Sequence, residues 1–216
     1  MKEVEKKKGS LKNSLYYLWE NNRLLIIAFG IIAALGIYFL ITNLREKETV
    51  VNVFLMDCHT DASQEQMEED FLKAMDLNPR SCKAEVITNL MLNSAGSSDY
   101  AMVSLSRLLS DIGSEKLDVC GMLDMDFKTY NDTDAFMDLR ECMTPDQIGG
   151  FEGKLFVDAD GVPRGISADA LPVLAGYGCY TETEEKVWLG VIYNTRRKEN
   201  AADYLLYLAG LKSGKE

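Results

Sequence analysis

The chain has 216 residues and a formal net charge of −11, with five cysteines and a single histidine. After residue 47 it carries fifteen Lys and Arg against thirty Asp and Glu, a balance that repels nucleic acid and anionic lipid. The composition therefore argues against nucleic acid as a partner. The lone His59, without any CxxC pair, argues against a zinc site or another metal centre.

The first predicted element is an uncharged, proline-free run from Leu24 to Ile41. As a helix it would span roughly 27 Å, close to the ~30 Å hydrocarbon core of a bilayer. It lacks the polar face of a helix buried in a soluble protein, and it is longer than the apolar region of a cleaved signal peptide. We therefore predict an uncleaved transmembrane helix over residues 24–42, with those two interpretations as alternatives.

Basic residues set the expected orientation of this anchor. Six Lys or Arg precede the apolar run and two follow it closely, and the more basic side of a single span normally stays in the cytoplasm. We predict a cytoplasmic segment over residues 1–23, a linker over 43–48 and an extracytoplasmic domain over 49–216. The expected location is the cell membrane, crossed once.

The outer part begins with Thr49 to Met56, whose almost wholly apolar sequence predicts a strand buried on both faces. Ser63 and Gln66 have the spacing of a capping box, which predicts a helix that ends at Asn78-Pro79. A second strand is predicted over Ala84 to Leu92.

A second helix follows, with Asp99 as its expected cap and Gly113 as its end. The third predicted strand is Leu117 to Leu123. This β-α-β-α-β order predicts a three-layer α/β domain with a mostly parallel sheet and right-handed crossovers.

The last part of the chain is predicted to add a hairpin, a strand and a helix. Residues 153–167 indicate a hairpin that turns at Asp160-Gly161, and Lys186 to Tyr193 is another apolar strand. Asn200 is the expected cap of a final helix, which would turn inward Ala201, Ala202, Leu205 and Leu208.

Polar side chains follow each of the three strands of the β-α-β-α-β unit. Ligands of open α/β sheets bind at the carboxyl edge of the strands, so these side chains are expected to converge there. The candidate ligand-binding residues are Asp57, Cys58, His59 and Thr60 after the first strand, Asn93 and Ser94 after the second, and Asp124 and Asp126 after the third. No catalytic residue and no cofactor is predicted.

Reactive interpretations of these residues compete with structural ones. Asp124 and Asp126 would form an acid–base pair or share a cation if the segment is extended, or else a solvated strand end and helix cap. Cys58 and His59 are sequence neighbours and would point to opposite faces, which disfavours a nucleophile–base pair. Asp158 to Gly161 matches the start of a calcium loop without its later ligands, so a hairpin turn is favoured. An extracytoplasmic hydrolase is the weakest alternative.

The cysteines would face an oxidising compartment if the predicted orientation is right. Disulfides are therefore feasible, but the sequence does not assign the pairs. The odd number leaves at least one thiol unpaired among Cys58, Cys82, Cys120, Cys142 and Cys179.

Three stretches are similar to one known family: "LDVCGML" at 117–123, "GKLFVDADGVPRGIS" at 153–167 and "LGVIYNTRRKENAADYLLYL" at 189–208. Through them the outer part resembles the extracellular solute-binding proteins of bacterial ABC transporters, which have the type 2 periplasmic-binding fold. The resemblance implies an α/β lobe that binds a small solute, or another membrane protein as a partner.

Two departures from that family shape the expected function. Only twenty residues separate Ser167 from Trp188, where the family places a second lobe. A transmembrane helix also takes the place of the family's common lipid-anchor cysteine. The chain is therefore expected to be a single membrane-anchored lobe that binds a ligand or partner without catalysis. The alternative is an accessory or sensory subunit of a membrane transporter complex that docks through this lobe.

Overall fold

The structure is a computed structural model that describes residues 23–24, 27–40, 47–92 and 98–211. The chain divides into two units, Met1–Glu46 and Lys47–Glu216, and each is described by itself. The strands of the described part all lie in the second unit.

The first unit contains helix α1, residues 27–40, whose side chains are exposed at every position. None of the helices that the structure describes reaches the length and apolar character that a bilayer crossing requires. Part of the predicted transmembrane span 24–42, namely residues 25–26 and 41–42, lies outside the described residues. So do residues 1–22 of the predicted cytoplasmic segment and 43–46 of the predicted linker.

The second unit begins with the predicted β-α-β-α-β order. In chain order the elements are β1 Glu48–Leu55, α2 Gln64–Ala74, β2 Cys82–Ile87, α3 Ser98–Gly113 and β3 Val119–Leu123. Strand β1 lies between β2 and β3 and is parallel to both. The prediction of a parallel α/β unit is therefore confirmed for these elements.

The rest of the domain extends the sheet with antiparallel strands. The further elements are α4 Asp124–Asn131, α5 Pro145–Gly149, β4 Leu155–Val157, β5 Pro163–Ser167, α6 Pro172–Gly176, β6 Val187–Val191 and α7 Lys198–Leu208, with 3₁₀ turns at Leu139–Glu141 and Ala168–Ala170. The strand order is β2-β1-β3-β6-β5-β4, and the three pairs after β3 are antiparallel. The sheet is therefore mixed, because the short connection between β4 and β5 does not allow a parallel crossover.

The side chains of β1 alternate between two buried clusters, which makes the domain three-layered. Val53 and Leu55 belong to the cluster that includes side chains of α2 and α7. Phe54 and Met56 belong to the cluster that includes side chains of α3 and α4. Each large apolar side chain removed from water in this way stabilises the fold by roughly 1.5–3 kcal/mol, so the apolar strand is fixed between two helix layers.

The structure confirms one of the predicted helix caps and corrects another. Ser63 caps α2 as predicted, because its hydroxyl oxygen accepts the Gln66 N–H at 3.1 Å. Helix α3 begins at Ser98, so Asp99 lies in its first turn. The prediction that Asn200 is a cap is wrong: α7 begins at Lys198, and the Asn200 amide donates to the carbonyl of Val50 at 2.8 Å. Along α7 the side chains predicted to face inward are buried, namely Ala201, Ala202, Leu205 and Leu208.

The predicted hairpin is confirmed. Strands β4 and β5 pair antiparallel, and the turn between them includes Gly161. Gly161 has a φ of +78°, a conformation that glycine adopts without steric cost.

Candidate functional site

An open cleft of about 990 Å³ lies where β1 and β2 end. Because the two strands are parallel, their loops leave the sheet at the same edge. The cleft is lined by residues 58–62 after β1, by Thr88 and Asn89 after β2, by Tyr100 of α3, and, at the end of α6 and in the turn that follows it, by Gly176, Tyr177, Gly178, Thr181 and Glu182. The cleft therefore occupies the sheet edge that the sequence predicts.

Asp57 holds the ends of β1 and β2 together behind the cleft. Its N–H donates to the carbonyl of Leu90 at 2.8 Å, and its carboxylate accepts the N–H of Leu92 at 3.0 Å. Asp57 has a φ of +52°, a left-handed conformation that aspartate tolerates better than most residues. The residue thus shapes the loop and is not among the lining side chains.

Thr60 connects two walls of the cleft. Its hydroxyl donates to the carbonyl of Tyr177 at 2.5 Å and accepts the N–H of Ala62 at 3.1 Å. The phenol of Tyr177 lies 2.9 Å from the Asp70 carboxylate and 2.7 Å from the Tyr207 phenol. Burial raises the pKa of Tyr177, and these two neighbours raise it further, so the phenol stays neutral. Tyr177 is therefore held in place at both its backbone and its hydroxyl.

The wall after β2 begins as soon as the strand leaves the sheet at Ile87. The Thr88 hydroxyl accepts a hydrogen bond from the Gln64 amide at 3.3 Å. The Tyr100 phenol donates to the backbone carbonyl of Asn89, which brings α3 to the rim of the cleft. These contacts place a hydroxyl, an amide and an aromatic ring around one opening.

The charges around the cleft are negative. Among its described lining residues there is no Lys or Arg, whereas Asp61 and Glu182 carry carboxylates. Hydroxyl and amide groups supply hydrogen bonds, and the faces of Tyr100 and Tyr177 can attract a cation. This combination suits a neutral or positively charged polar solute, since an anion would meet like charge.

Cys58 and His59 both line the cleft. The Cys58 sulfur contacts the backbone oxygen of its neighbour His59 at 4.0 Å. The neighbouring Cys179 thiol raises the pKa of Cys58, and burial raises it further. Because the sulfur faces the backbone of His59 and not its imidazole, the two residues do not form a nucleophile–base pair. In the described part of the chain, no three metal-ligating side chains are grouped.

Three of the eight predicted ligand-binding residues line the cleft: Cys58, His59 and Thr60. Asp57 lies behind it, as described above. Asn93 and Ser94 lie outside the described residues.

Asp124 and Asp126 are not brought into the cleft. Both lie in the first turn of α4, where side chains two positions apart diverge, so the extended segment that would let them form an acid–base pair or share a cation is not formed. The Asp124 carboxylate accepts the Trp188 indole N–H at 2.7 Å and the Lys128 ammonium at 2.6 Å. The hydrogen bond from Lys128 lowers the pKa of Asp124, and the one from Trp188 adds to this against the opposing effect of burial. Asp124 therefore joins α4 to β6.

No protein-family model matches this chain, and no curated protein sequence matches it significantly. What the cleft binds must therefore be inferred from the side chains that line it.

Several lining residues are not among the predicted ones. Thr88 and Asn89 lie within the predicted second strand, which ends earlier than its apolar sequence indicates. Glu182 and Tyr177 lie more than a hundred residues after β1, and no local pattern in the sequence indicates that they lie near the loop after this strand. The one available signal is the sequence "AGYGCY" at 175–180, where Gly178 has a φ of +76° and indicates a tight turn.

Proposed function

We propose that this chain is a single-pass membrane-anchored protein whose extracytoplasmic α/β domain binds a small neutral or cationic polar solute without catalysing a reaction. The observation that carries the proposal is the cleft of about 990 Å³ at the ends of β1 and β2. Small-molecule sites commonly measure ~300–1,000 Å³ and combine apolar walls with a few placed polar groups. The domain would act as one lobe that resembles a solute-binding protein.

The lining side chains define the class of solute. A positively charged group would be attracted by Asp61 and Glu182 and by the faces of Tyr100 and Tyr177. Hydroxyl or amide groups of the solute would exchange hydrogen bonds with Thr88 and the other neutral polar groups. An organic cation therefore fits best, and a neutral polyol comes second.

The proposed anchor rests on the uncharged run from Leu24 to Ile41 and on the basic residues before it. Within this run, large apolar side chains of α1 are exposed, with Phe29 at 73% and Phe39 at 68%. Such a surface is stable only in an apolar environment, and a lipid bilayer provides one. Cutting intact cells with protease tests the topology. Cleavage within residues 48–216 supports it, whereas their protection while the N-terminus is cut overturns it.

Thermal unfolding of the detergent-solubilised full chain tests solute binding, because a ligand of the folded state raises Tm by an amount that grows with the ratio of its concentration to its Kd. Three probes separate the classes: spermidine as an organic cation, maltose as a neutral polyol and citrate as an anion. We expect spermidine to raise Tm progressively with its concentration, maltose to raise it less, and citrate to have no effect. A rise in Tm with citrate alone, or no rise in Tm with any of the three, would contradict the proposal.

A pair of matched variants separates binding in the cleft from attraction to the acidic surface as a whole. Glu182→Gln removes a carboxylate that lines the cleft, whereas Glu184→Gln removes an exposed one that does not. The spermidine response should weaken in Glu182→Gln and persist in Glu184→Gln. An equal loss in both variants would show that spermidine responds to surface charge only.

The alternative role of an accessory or sensory subunit is favoured by one feature, the apolar side chains exposed on α3. Met102 is 61% exposed, Val103 64% and Leu109 53%. Cross-linking in intact membranes discriminates between the two roles. An adduct with one membrane protein that is lost in Met102→Ser and Leu109→Ser would support the alternative, and recovery of the monomer alone would count against it.

A further inference from the structure

Two loops that are far apart in sequence are joined side by side beneath the cleft. The Tyr180 phenol donates to the carbonyl of Met56 at 2.9 Å, and the Thr60 hydroxyl donates to the carbonyl of Tyr177 at 2.5 Å. Cys58 lies between Met56 and Thr60, and Cys179 lies between Tyr177 and Tyr180. The two hydrogen bonds therefore hold these cysteines in matching positions on adjacent loops.

The two thiols meet where these loops meet. Both cysteines are free and buried, with Cys58 5% and Cys179 4% exposed. Both side chains belong to the same buried cluster, and each influences the pKa of the other, so the two sulfurs are neighbours. Neither residue belongs to a helix or strand. The small movement that brings the two sulfurs within bonding distance would therefore be made by loop backbone.

The cleft gives a small molecule access to this pair. Cys58 lines the cleft directly, and Gly178, the neighbour of Cys179, lines it from the other loop. A molecule of the size of water or hydrogen peroxide would therefore reach Cys58 from the cleft, with Cys179 one residue behind the lining Gly178, whereas a protein would not.

We propose that Cys58 and Cys179 form a redox-active dithiol, which a peroxide that enters the cleft oxidises to a disulfide. This inference does not depend on which solute the cleft binds. The disulfide would covalently link two of the cleft walls, those of residues 58–62 and 176–182. Oxidation would thereby fix the spacing between them.

The oxidation has two balanced steps. The thiolate of one of the two cysteines attacks one oxygen of hydrogen peroxide, the O–O bond breaks, and a sulfenic acid and hydroxide form. The proton released when that thiol ionised converts the hydroxide to water. The sulfur of the second cysteine then attacks the sulfur of the sulfenic acid, the S–O bond breaks, and hydroxide leaves with the proton of the second thiol as water. In total, two thiols and one peroxide give one disulfide and two waters.

The remaining cysteines differ from this pair in environment. Burial raises the pKa of Cys120, which lies within strand β3. Burial likewise raises the pKa of Cys142 to about 11, and its thiol donates to the carbonyl of Leu139 at 3.5 Å. Because thiolates are the reactive form, Cys142 provides a matched control for a thiol without a sulfur partner.

Peptide mapping of the full-length chain tests the proposal. The chain is purified in detergent with a reductant, the reductant is removed, and hydrogen peroxide is added in equimolar amount. The expected product has lost two hydrogens and yields one cross-linked peptide that joins Cys58 to Cys179. Another pairing, oxidation without a disulfide, or no change in mass would overturn the proposal, and this measurement on the wild-type chain needs no variant.

Serine variants then test whether the two thiols act as a pair. Cys58→Ser and Cys179→Ser should each abolish the disulfide. Cys142→Ser should form the disulfide at the wild-type rate. A disulfide that forms at the wild-type rate in Cys58→Ser or Cys179→Ser, or loss of the disulfide in Cys142→Ser, would contradict the pairing.

Discussion

Polar side chains cluster at both ends of the parallel strands, but their partners differ between the two ends. At the amino end of β3, the buried carboxylate of Asp118 accepts the Asn52 N–H at 2.7 Å, the Thr195 hydroxyl and the Arg197 guanidinium at 2.9 Å. The same guanidinium donates to the carbonyl of Lys116 at 2.6 Å. At the carboxyl ends of β1 and β2, hydroxyl, amide and carboxylate groups surround an open cleft of about 990 Å³.

This difference shows why the number of polar residues does not identify a site. Asp118 is fully buried, and burial raises its pKa even though hydrogen bonds from Thr195, Arg197 and Asn52 oppose the shift. Its donors come from the protein itself, so the cluster joins β1, β3 and the segment after β6. The cleft residues, by contrast, face solvent in a concave surface and are arranged around a volume that a solute can fill. Truncation at the first end should cost stability, and truncation at the second should cost binding.

The largest expected effect follows from Arg197→Ala, which leaves the Asp118 carboxylate buried without its cation. Removing one partner of a buried ion pair typically costs about 3 kcal/mol or more, and we expect the lower end because the Arg197 side chain is 26% exposed. Denaturant unfolding measures the loss. The spermidine response should be unchanged in the folded variant, because the cleft lies at the other strand end.

The neighbouring Lys198 provides the matched control for this variant. Its ammonium lies 2.9 Å from the Glu141 carboxylate, and both side chains are about half exposed, at 44% and 55%. An exposed pair contributes at most about 1 kcal/mol, so Lys198→Ala should be nearly neutral. Equal losses in Arg197→Ala and Lys198→Ala would show that the cluster at Asp118 is not a structural centre.

The second effect concerns Asp57, a predicted ligand-binding residue whose role is structural, like that of Asp118. Asp57→Ala should lower the free energy of unfolding by about 2 kcal/mol, because the Leu92 N–H loses its acceptor and alanine disfavours a φ of +52°. Asp57→Asn keeps an acceptor and tolerates that φ, so it should cost well under half as much. Chemical denaturation of the two variants compares them directly. If Asp57→Ala instead kept full stability and lost the spermidine response, Asp57 would belong to the binding site.

A smaller effect depends on pH. The lowered pKa of Asp124 means that its carboxylate contributes stability above its ordinary pKa of 3.8, and that this contribution is lost as pH falls through the folded-state pKa. Asp124→Asn should therefore destabilise the domain at pH 7 by at most about 1 kcal/mol, since the Lys128 side chain is 57% exposed. The difference from wild type should shrink as the pH falls below 3.8.

Unfolding free energies of both proteins at pH 7 and pH 3 measure this change. Lys128→Gln removes the other half of the ion pair and should show the same pH dependence. A difference that grows as the pH falls would mean that the charge of Asp124 does not stabilise the fold.

The strands β1, β2 and β3 and their order along the chain could be predicted because they depend on local patterns. The apolar run from Thr49 to Met56 leaves no polar face, which only a strand between two helix layers accommodates. The end of β2 could not be predicted, because apolar residues continue to Leu92 although the ladder with β1 stops at Ile87. For that reason the sequence points to Asn93 and Ser94, whereas Thr88 and Asn89 line the cleft.

The far wall of the cleft depends on contacts across more than a hundred residues, and the pairing of β3 with β6 also joins strands that are distant in sequence. Nothing in the local sequence brings Tyr177 to Thr60, because a tertiary hydrogen bond to a backbone carbonyl leaves no periodic pattern. Nor does the spacing of the five cysteines select Cys58 and Cys179. The sheet edge was therefore predictable, and the partners that meet there were not.

The smallest expected change in stability comes from Asn89→Ala. The Asn89 side chain is exposed and lines the cleft, so its truncation should change the free energy of unfolding by no more than about 0.5 kcal/mol. The rise in Tm with spermidine should fall, because the cleft loses one of its hydrogen-bonding groups. Glu152→Ala, at an exposed position outside the cleft, should change neither quantity. If Asn89→Ala lowered the free energy of unfolding by more than about 1 kcal/mol and left the spermidine response intact, Asn89 would be a structural residue like Asp118. The two strand ends would then not differ in the way described.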